Sequence, residues 1–222
     1  MASHTPPASR RPPSAKPASG PGRPKDLGKR AAILEAAKRL FAREGFGGTS
    51  MDQIAAEAGV SKLTVYSHFG DKEALFTEAV RAKCEEMLPD DLFQIELKGP
   101  LRQQLKAIAQ AFFALISSEE AISTHRMMLV PGNIDDNLKQ VFWQAGPQRT
   151  HDAFAALLQA RVDAGELDIP DVARAAEQFF TLIKGEMHSQ MMCGLCDRPG
   201  RGDLDSHLDA TVDFFLRAYG RR

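Results

Sequence analysis

The chain has 222 residues, of which 43% are hydrophobic and 26% charged, with 28 Lys plus Arg against 29 Asp plus Glu; that is enough apolar material to bury a core and excludes a disordered chain. No stretch approaches the roughly 18 uncharged apolar residues of a membrane span, since residues 107–118 are interrupted by Gln110 and close on Glu119 and Glu120, so no membrane partner is expected. The near-neutral total conceals an asymmetry: residues 1–88 carry 14 Lys plus Arg against 10 Asp plus Glu, and residues 89–222 carry 14 against 19, which points to two different jobs in one chain.

Residues 1–26 are rich in Pro, Ser, Ala and Gly and hold five basic residues against the single acid Asp26, the composition of a disordered basic arm. The arm lacks the apolar segment of a secretory signal. The three cysteines, Cys84, Cys193 and Cys196, do not make a disulfide framework, so a cytoplasmic location is expected. From Gly28 onward Ile33, Leu34, Ala37, Leu40 and Phe41 recur on one helix face until Gly45 stops the run. Ser50 followed by Gln53 forms a capping-box pattern that opens a short helix ending at Gly59. Ser61 then caps a second short helix over 62–69. The connection, Gly59–Val60–Ser61, has the length and glycine of a helix-turn-helix, with small Ala55 at the crossing and Ile54, Val60 and Val65 between the helices. A fourth helix begins near Asp71. Helical patterns follow over 101–117, 120–129, 135–144, 148–164, 171–192 and 204–219, punctuated by Pro and Gly at "KGP", "VPGN", "AGP" and "RPGRGD". Only "LDI" at 167–169 reads as extended, too short to build a sheet, so the fold class is all-α, with a small front domain and a larger bundle.

A helix that enters a DNA major groove needs short polar side chains near its N-terminus for base edges and phosphate-binding groups on its flanks. Residues 59–76, "GVSKLTVYSHFGDKEALF", supply them: Ser61, Lys62, Leu63 and Thr64 on the first turn, Tyr66, Ser67 and His68 on the next, and Lys72 at the start of the following helix, while Val65 and Phe69 face inward. Thr49 and Ser50 begin the preceding helix, where hydroxyls and amides can meet a phosphate. The plain alternative is a packed helical hairpin with a solvated polar face. In the arm, Arg23 within "GPGRPKD" suits a narrow A·T-rich minor groove; a tail with only nonspecific attraction is the competing reading.

Residues 30–80, and in particular "ILEAAKRLFAREGFGGTSMDQIAAEAGVSKLTVYSHFGDKEALF", resemble the DNA-binding domain of the TetR (tetracycline-repressor-like) transcriptional regulators. The resemblance implies a homodimer of all-α subunits, in which an N-terminal three-helix helix-turn-helix domain is joined by a connecting helix to a C-terminal helical ligand-binding and dimerisation domain. On this chain the divisions fall at 27–70, 71–88 and 89–222. Position by position, the resemblance makes Thr49, Ser50, Ser61, Lys62, Thr64, Tyr66, His68 and Lys72 the expected contacts to a double-stranded operator. Leu63 stands where many members have glycine.

The body offers aromatic, Met and polar candidates for lining an effector pocket: Phe112, Phe113, Ile116, His125, Met128, Leu129, Phe142, Trp143, His151, Phe154, Phe180, Ile183, Glu186 and Met187. Such surfaces suit a small apolar or amphipathic effector, although Phe and Met at helical spacing also make ordinary core. His125, His151 and Glu186 stand out, because a buried polar group needs a partner. Phe179, Leu182, Leu208, Val212, Phe215 and Leu216 on the last two helices have the apolar content for the four-helix dimer interface that the resemblance implies, with intramolecular core as the alternative and both open together. Cys193 and Cys196, with His188 nearby, form one C-x-x-C that could bind zinc or act as a thiol switch, but a structural zinc site needs four ligands and no second pair is present; two plain thiols near a helix end are the favoured reading, and neither metal nor cofactor is expected. There is no G-x-S-x-G, P-loop, dinucleotide fingerprint or H-E-x-x-H. No enzyme is therefore expected; the resemblance implies a ligand-released repressor that binds a palindromic operator as a homodimer, with a protein-interaction module as the runner-up.

Overall fold

The computed structural model describes residues 26–94, 100–130 and 135–221. Among them are ten α-helices: α1 Leu27–Gly48, α2 Met51–Glu57, α3 Lys62–Phe69, α4 Lys72–Met87, α5 Leu101–Ile116, α6 Glu119–Leu129, α7 Asp136–Trp143, α8 Arg149–Asp163, α9 Val172–Met192 and α10 Arg201–Tyr219. Among the described residues there is no strand; "LDI" contributes only an isolated antiparallel bridge between Leu167 and Gly220. The proposed arm, with Arg23, lies outside the described residues except for Asp26, whose carboxylate accepts the Gly28 amide at 3.0 Å and caps α1.

The local signals set the head. The periodic apolar stripe of α1 buries Ile33, Ala36, Ala37, Leu40 and Phe41, and the helical dihedrals break at Gly45, where φ is 70°. Both halves of the capping box form at α2: Ser50 Oγ accepts the Gln53 amide, and Gln53 Oε1 accepts the Ser50 amide at 2.7 Å. The turn into α3 passes through Gly59 at φ 66°, a left-handed conformation that disfavours any side chain. Ile54, Ala55, Val65 and Phe69 close against α1, and Leu75 and Phe76 of α4 complete the layer. The rings of Phe41, Phe46 and Phe76 pack with centroids 5.1–5.9 Å apart. This core also takes in Leu138 of α7, with Met127 and Met128 of α6 and Phe142 packed against it, so the head is seated on the body through apolar contact as well as through α4.

The body core is a second cluster, centred on Phe113, Phe154, Phe179, Phe180 and Phe215 from α5, α8, α9 and α10. "AGP" does not separate two helices as its composition suggests. Residues Gln144–Gln148 form a π-helical turn that joins α7 to α8. Pro147 has no amide to donate within an α-helical ladder, and widening the turn removes that conflict without ending the helix. A 3-10 turn at Asp90–Phe93, not signalled by periodicity, follows α4.

Candidate DNA-binding surface and effector cavity

On α3 the buried residues are Val65 and Phe69, whereas Ser61, Lys62, Tyr66 and Ser67 are exposed. Leu63, at 78% exposure, projects fully from the same face. Thr64 is half-buried and its hydroxyl lies 2.8 Å from that of Ser61. Lys62 Nζ bonds Asp52 at 2.8 Å; both groups are solvated, so this pair is weak and readily exchanged for a phosphate. His68 is half-buried, and its Nδ1 is enclosed without a hydrogen-bond partner.

Two expected contacts are placed differently from a free reaching group. Thr49 is only 2% exposed and its hydroxyl donates to Gly45 O at 2.8 Å, so its side chain is engaged in the turn and only Ser50 beside it faces solvent. Lys72 is half-buried: Nζ donates to Phe46 O at 2.9 Å and Thr49 O at 3.1 Å, and stands 4.2 Å above the Phe46 ring. It closes the loop between α1 and α2 onto the start of α4, because two carbonyls and an aromatic face together replace the water of the ammonium.

A cavity of about 550 Å³ lies between the head and the body. Phe112 and Ile116 of α5 and His125 of α6 form part of its wall, Phe142, Trp143 and His151 come from the segment running through the π-turn, and Ala79, Val80, Lys83 and Cys84 of α4 contribute another side. Sequence reading thus names six of the lining residues. It misses the polar face of α9, where Ala173, Glu177, Thr181, Lys184 and His188 also line the cavity. Their spacing of three and four residues places them on one side of the helix. Phe180 and Ile183, chosen for being apolar, are instead fully buried in the core, and Met187 packs against it. Phe113 and Phe154 likewise belong to that core, and Met128 packs on the head core. Leu129 and Glu186 are exposed, the latter accepting Gln190 Nε2 at 3.1 Å. The physical reason is general: the most apolar face of a helix goes to the core, and the adjoining mixed face is left for a ligand. A polar face on an otherwise buried helix is the signal that could have found it.

Three imidazoles share this space. His125 Nδ1 donates to Ala121 O at 2.7 Å, its ring meets that of Phe142 at 5.5 Å, and its centroid lies 6.4 Å from that of His188. His151 lies 5.1 Å from the Phe180 ring and 6.2 Å from Trp143. Burial is the main cause that lowers the pKa of all three, carrying His188 to about 4, because a charged ring is poorly solvated there. Lys184 is lowered by burial as well. Cys84 is pushed up to about 11 by burial, and Cys193 and Cys196 are free thiols, the first exposed. Among the described residues no group of three or more His, Cys, Asp or Glu could hold a metal ion.

The π-turn brings this wall onto the connecting helix. A Cβ built on Gly146 would lie 3.1 Å from Val80 Cγ1 and 3.2 Å from Cys84 Sγ, so the backbone at 146 abuts α4 and an added carbon would press on both side chains. On the far side of the body, Phe179, Leu208, Val212 and Phe215 are at most 1% exposed. The sequence offers these four as dimer-interface candidates with intramolecular core as the alternative; they fill the subunit's own core, packed with Phe154 and Phe180. Leu182 and Phe214 face outward at 39% and 55% exposure, and Leu216 is half-buried.

Two family models match the chain, that of the tetR family of bacterial regulatory proteins over residues 33–79 and that of the AefR-like transcriptional repressor C-terminal domain over 103–221. The chain belongs to the TetR family. It is thus a helix-turn-helix, DNA-binding transcriptional regulator of all-α fold and not an enzyme. A TetR-family regulator from Mesorhizobium loti is 28% identical, with a TM-score of 0.75 over 88% of this chain and 98% of that one. The flavonoid-responsive regulator FrrA is 30% identical, with a TM-score of 0.70 over 89% of this chain and 100% of that one. The HTH-type transcriptional regulator YdeS of Bacillus subtilis is 27% identical over 66% of this chain and 71% of its own length. No described helix is long and apolar enough to cross a membrane.

Proposed function

We propose that this TetR-family chain is a cytoplasmic, effector-released repressor that binds a palindromic operator as a homodimer and lets go when a small aromatic or amphipathic molecule fills the cavity. The observation that carries this reading is the double role of α4. It begins at Lys72, beside the end of α3, and its Ala79, Val80, Lys83 and Cys84 line the cavity. Two recognition helices read one operator only at about 34 Å spacing or its multiples, so an occupant that moves α4 moves them out of register.

In this reading α3 enters the major groove with Ser61, Lys62, Thr64, Tyr66 and His68, while Ser50 and the loop held by Lys72 and Thr49 approach phosphates and Arg23 of the arm reaches the minor groove. Leu182, Phe214 and Leu216 supply apolar surface to the partner subunit. The cavity's rings favour a planar aromatic effector, and the flavonoid response carried in FrrA's name is consistent with that. The test is selection of bound duplexes from a random pool, followed by titration of the winner with aromatic effectors and by sedimentation of the protein. Enrichment of a palindrome bound by a dimer, with release on effector addition, is the expected result. No enrichment at low salt, or a monomer on the enriched duplex, overturns the reading.

A further inference from the structure

Resting on the reading of the cavity as the effector site, its polar lining narrows the class of effector. Of the lysines that line it, Lys38 is engaged by Glu35 and Glu86, each at 2.8 Å, and Lys83 lies 3.5 Å from Glu120. Lys184 differs. Among the described residues no carboxylate stands within ion-pair distance of it, and burial alone perturbs it. Lys184 is half-buried; an ammonium partly withdrawn from water without an anion carries a cost, and cavities that take small molecules use a few such polar groups to fix orientation.

The neighbouring groups do not serve an anion as well. His125 donates Nδ1 to a backbone carbonyl, which leaves Nε2 of the neutral ring as a lone-pair acceptor. His188 Nε2 is enclosed with no hydrogen-bond partner, while the ring bonds toward the Ile116 carbonyl. His151 feels the carboxylates of Asp152 and Glu177, which line the same cavity and disfavour an anion beside that ring. Lys184 lines the same cavity as the three imidazoles, and its charge is felt by each of them.

We propose that the effector is an aromatic organic acid whose anionic group pairs with Lys184, while its ring lies among Phe112, Phe142 and Trp143. His125 and His151 receive hydroxyl donors of the same molecule, and Lys184 selects it against neutral analogues of equal shape.

The experiment is calorimetric titration of the full-length chain with 2-naphthoate and with its neutral isostere 2-naphthamide at pH 7, using wild type, Lys184→Met and Lys184→Arg, with enhancement of Nile red fluorescence as an independent report of cavity binding. Lys184→Met keeps the aliphatic stem, and melting confirms that it folds. A hydrogen-bonded buried charge pair makes naphthoate bind about 10- to 100-fold more tightly than the amide in wild type. That preference should vanish in Lys184→Met and persist in Lys184→Arg. Equal binding of acid and amide by wild type, or a preference that survives in Lys184→Met, overturns the assignment while leaving the cavity reading intact. Absence of binding by both naphthyl probes also overturns it; if Nile red is not taken up either, the cavity reading fails with it.

Discussion

Gly146→Ala tests whether the cavity wall and the connecting helix move as one. The added carbon would stand 3.1 Å from Val80 Cγ1 and 3.2 Å from Cys84 Sγ. Carbon pairs settle at roughly 3.5–4.0 Å, so α4 or the π-turn must yield by about half an ångström. Overfilling a packed contact costs about 1–3 kcal/mol, while Ala in place of Gly returns roughly 1 kcal/mol of helix propensity. The net loss is therefore about 0–2 kcal/mol, a fall in melting temperature of at most roughly 8 °C. The position of α4 should change as well: if about 1 kcal/mol of the strain is relieved when the recognition helices leave their operator spacing, affinity without effector falls about five-fold. Fluorescence anisotropy on the selected duplex measures it, with a scrambled duplex as control. Operator affinity within two-fold of wild type, together with an undiminished effector response, would refute mechanical coupling through Gly146 and leave the contact as packing alone.

Other outcomes follow from the same contacts. Lys72→Ala removes an ammonium shared by two carbonyls and a ring, and should cost about 1.5–3 kcal/mol in chemical denaturation as well as weakening all DNA alike; unchanged stability would contradict the clamp. If a dimer neutralises about eight phosphates, the logarithm of operator affinity should fall with a slope near −7 against log salt, and a slope near zero would remove the phosphate-contact role of the head. Thr64→Val should alter base preference in a repeated duplex selection, because Thr64 lies on the first turn of α3, whereas Lys62→Ala should weaken every duplex by a similar factor. His188 is held at about 4 against an ordinary 6.5. The unfolded chain therefore binds a proton below about 6.5 that the folded chain refuses until about 4, so the stabilisation from the neutral ring is complete above 6.5 and lost as pH falls through that window, by at most about 3 kcal/mol. The melting temperature of His188→Gln should consequently fall less between pH 7 and pH 5 than that of wild type; an equal fall would show that His188 does not titrate in this way.

The head was legible because each of its signals acts within a few residues. Ser50 with Gln53, Ser61, Gly59 and Asp71 satisfy or terminate backbone groups next to themselves, and the structure puts each at the helix end that its chemistry requires. The side chains read as free contacts were less secure. Thr49 and Lys72 are polar residues at a loop, and sequence does not reveal that their donors are taken by Gly45, Phe46 and Thr49 carbonyls. In the body, Phe112, Ile116, His125, Phe142, Trp143 and His151 were found, whereas Lys184 was not, since a lysine in a helix reads as solvated until its neighbours are known.

By itself the sequence determined the helical class, the order of the helices, their caps and the face of α3 that stays polar, all of which depend on periodicity and on hydrogen bonds between near neighbours. Tertiary structure alone decided which apolar residues of α9 and α10 are core, that the π-turn joins α7 to α8 against α4, and that Lys184 and three imidazoles share one cavity. Those features rest on contacts between residues tens of positions apart, and a helix with two apolar or mixed faces carries no local mark of which one its neighbours will cover.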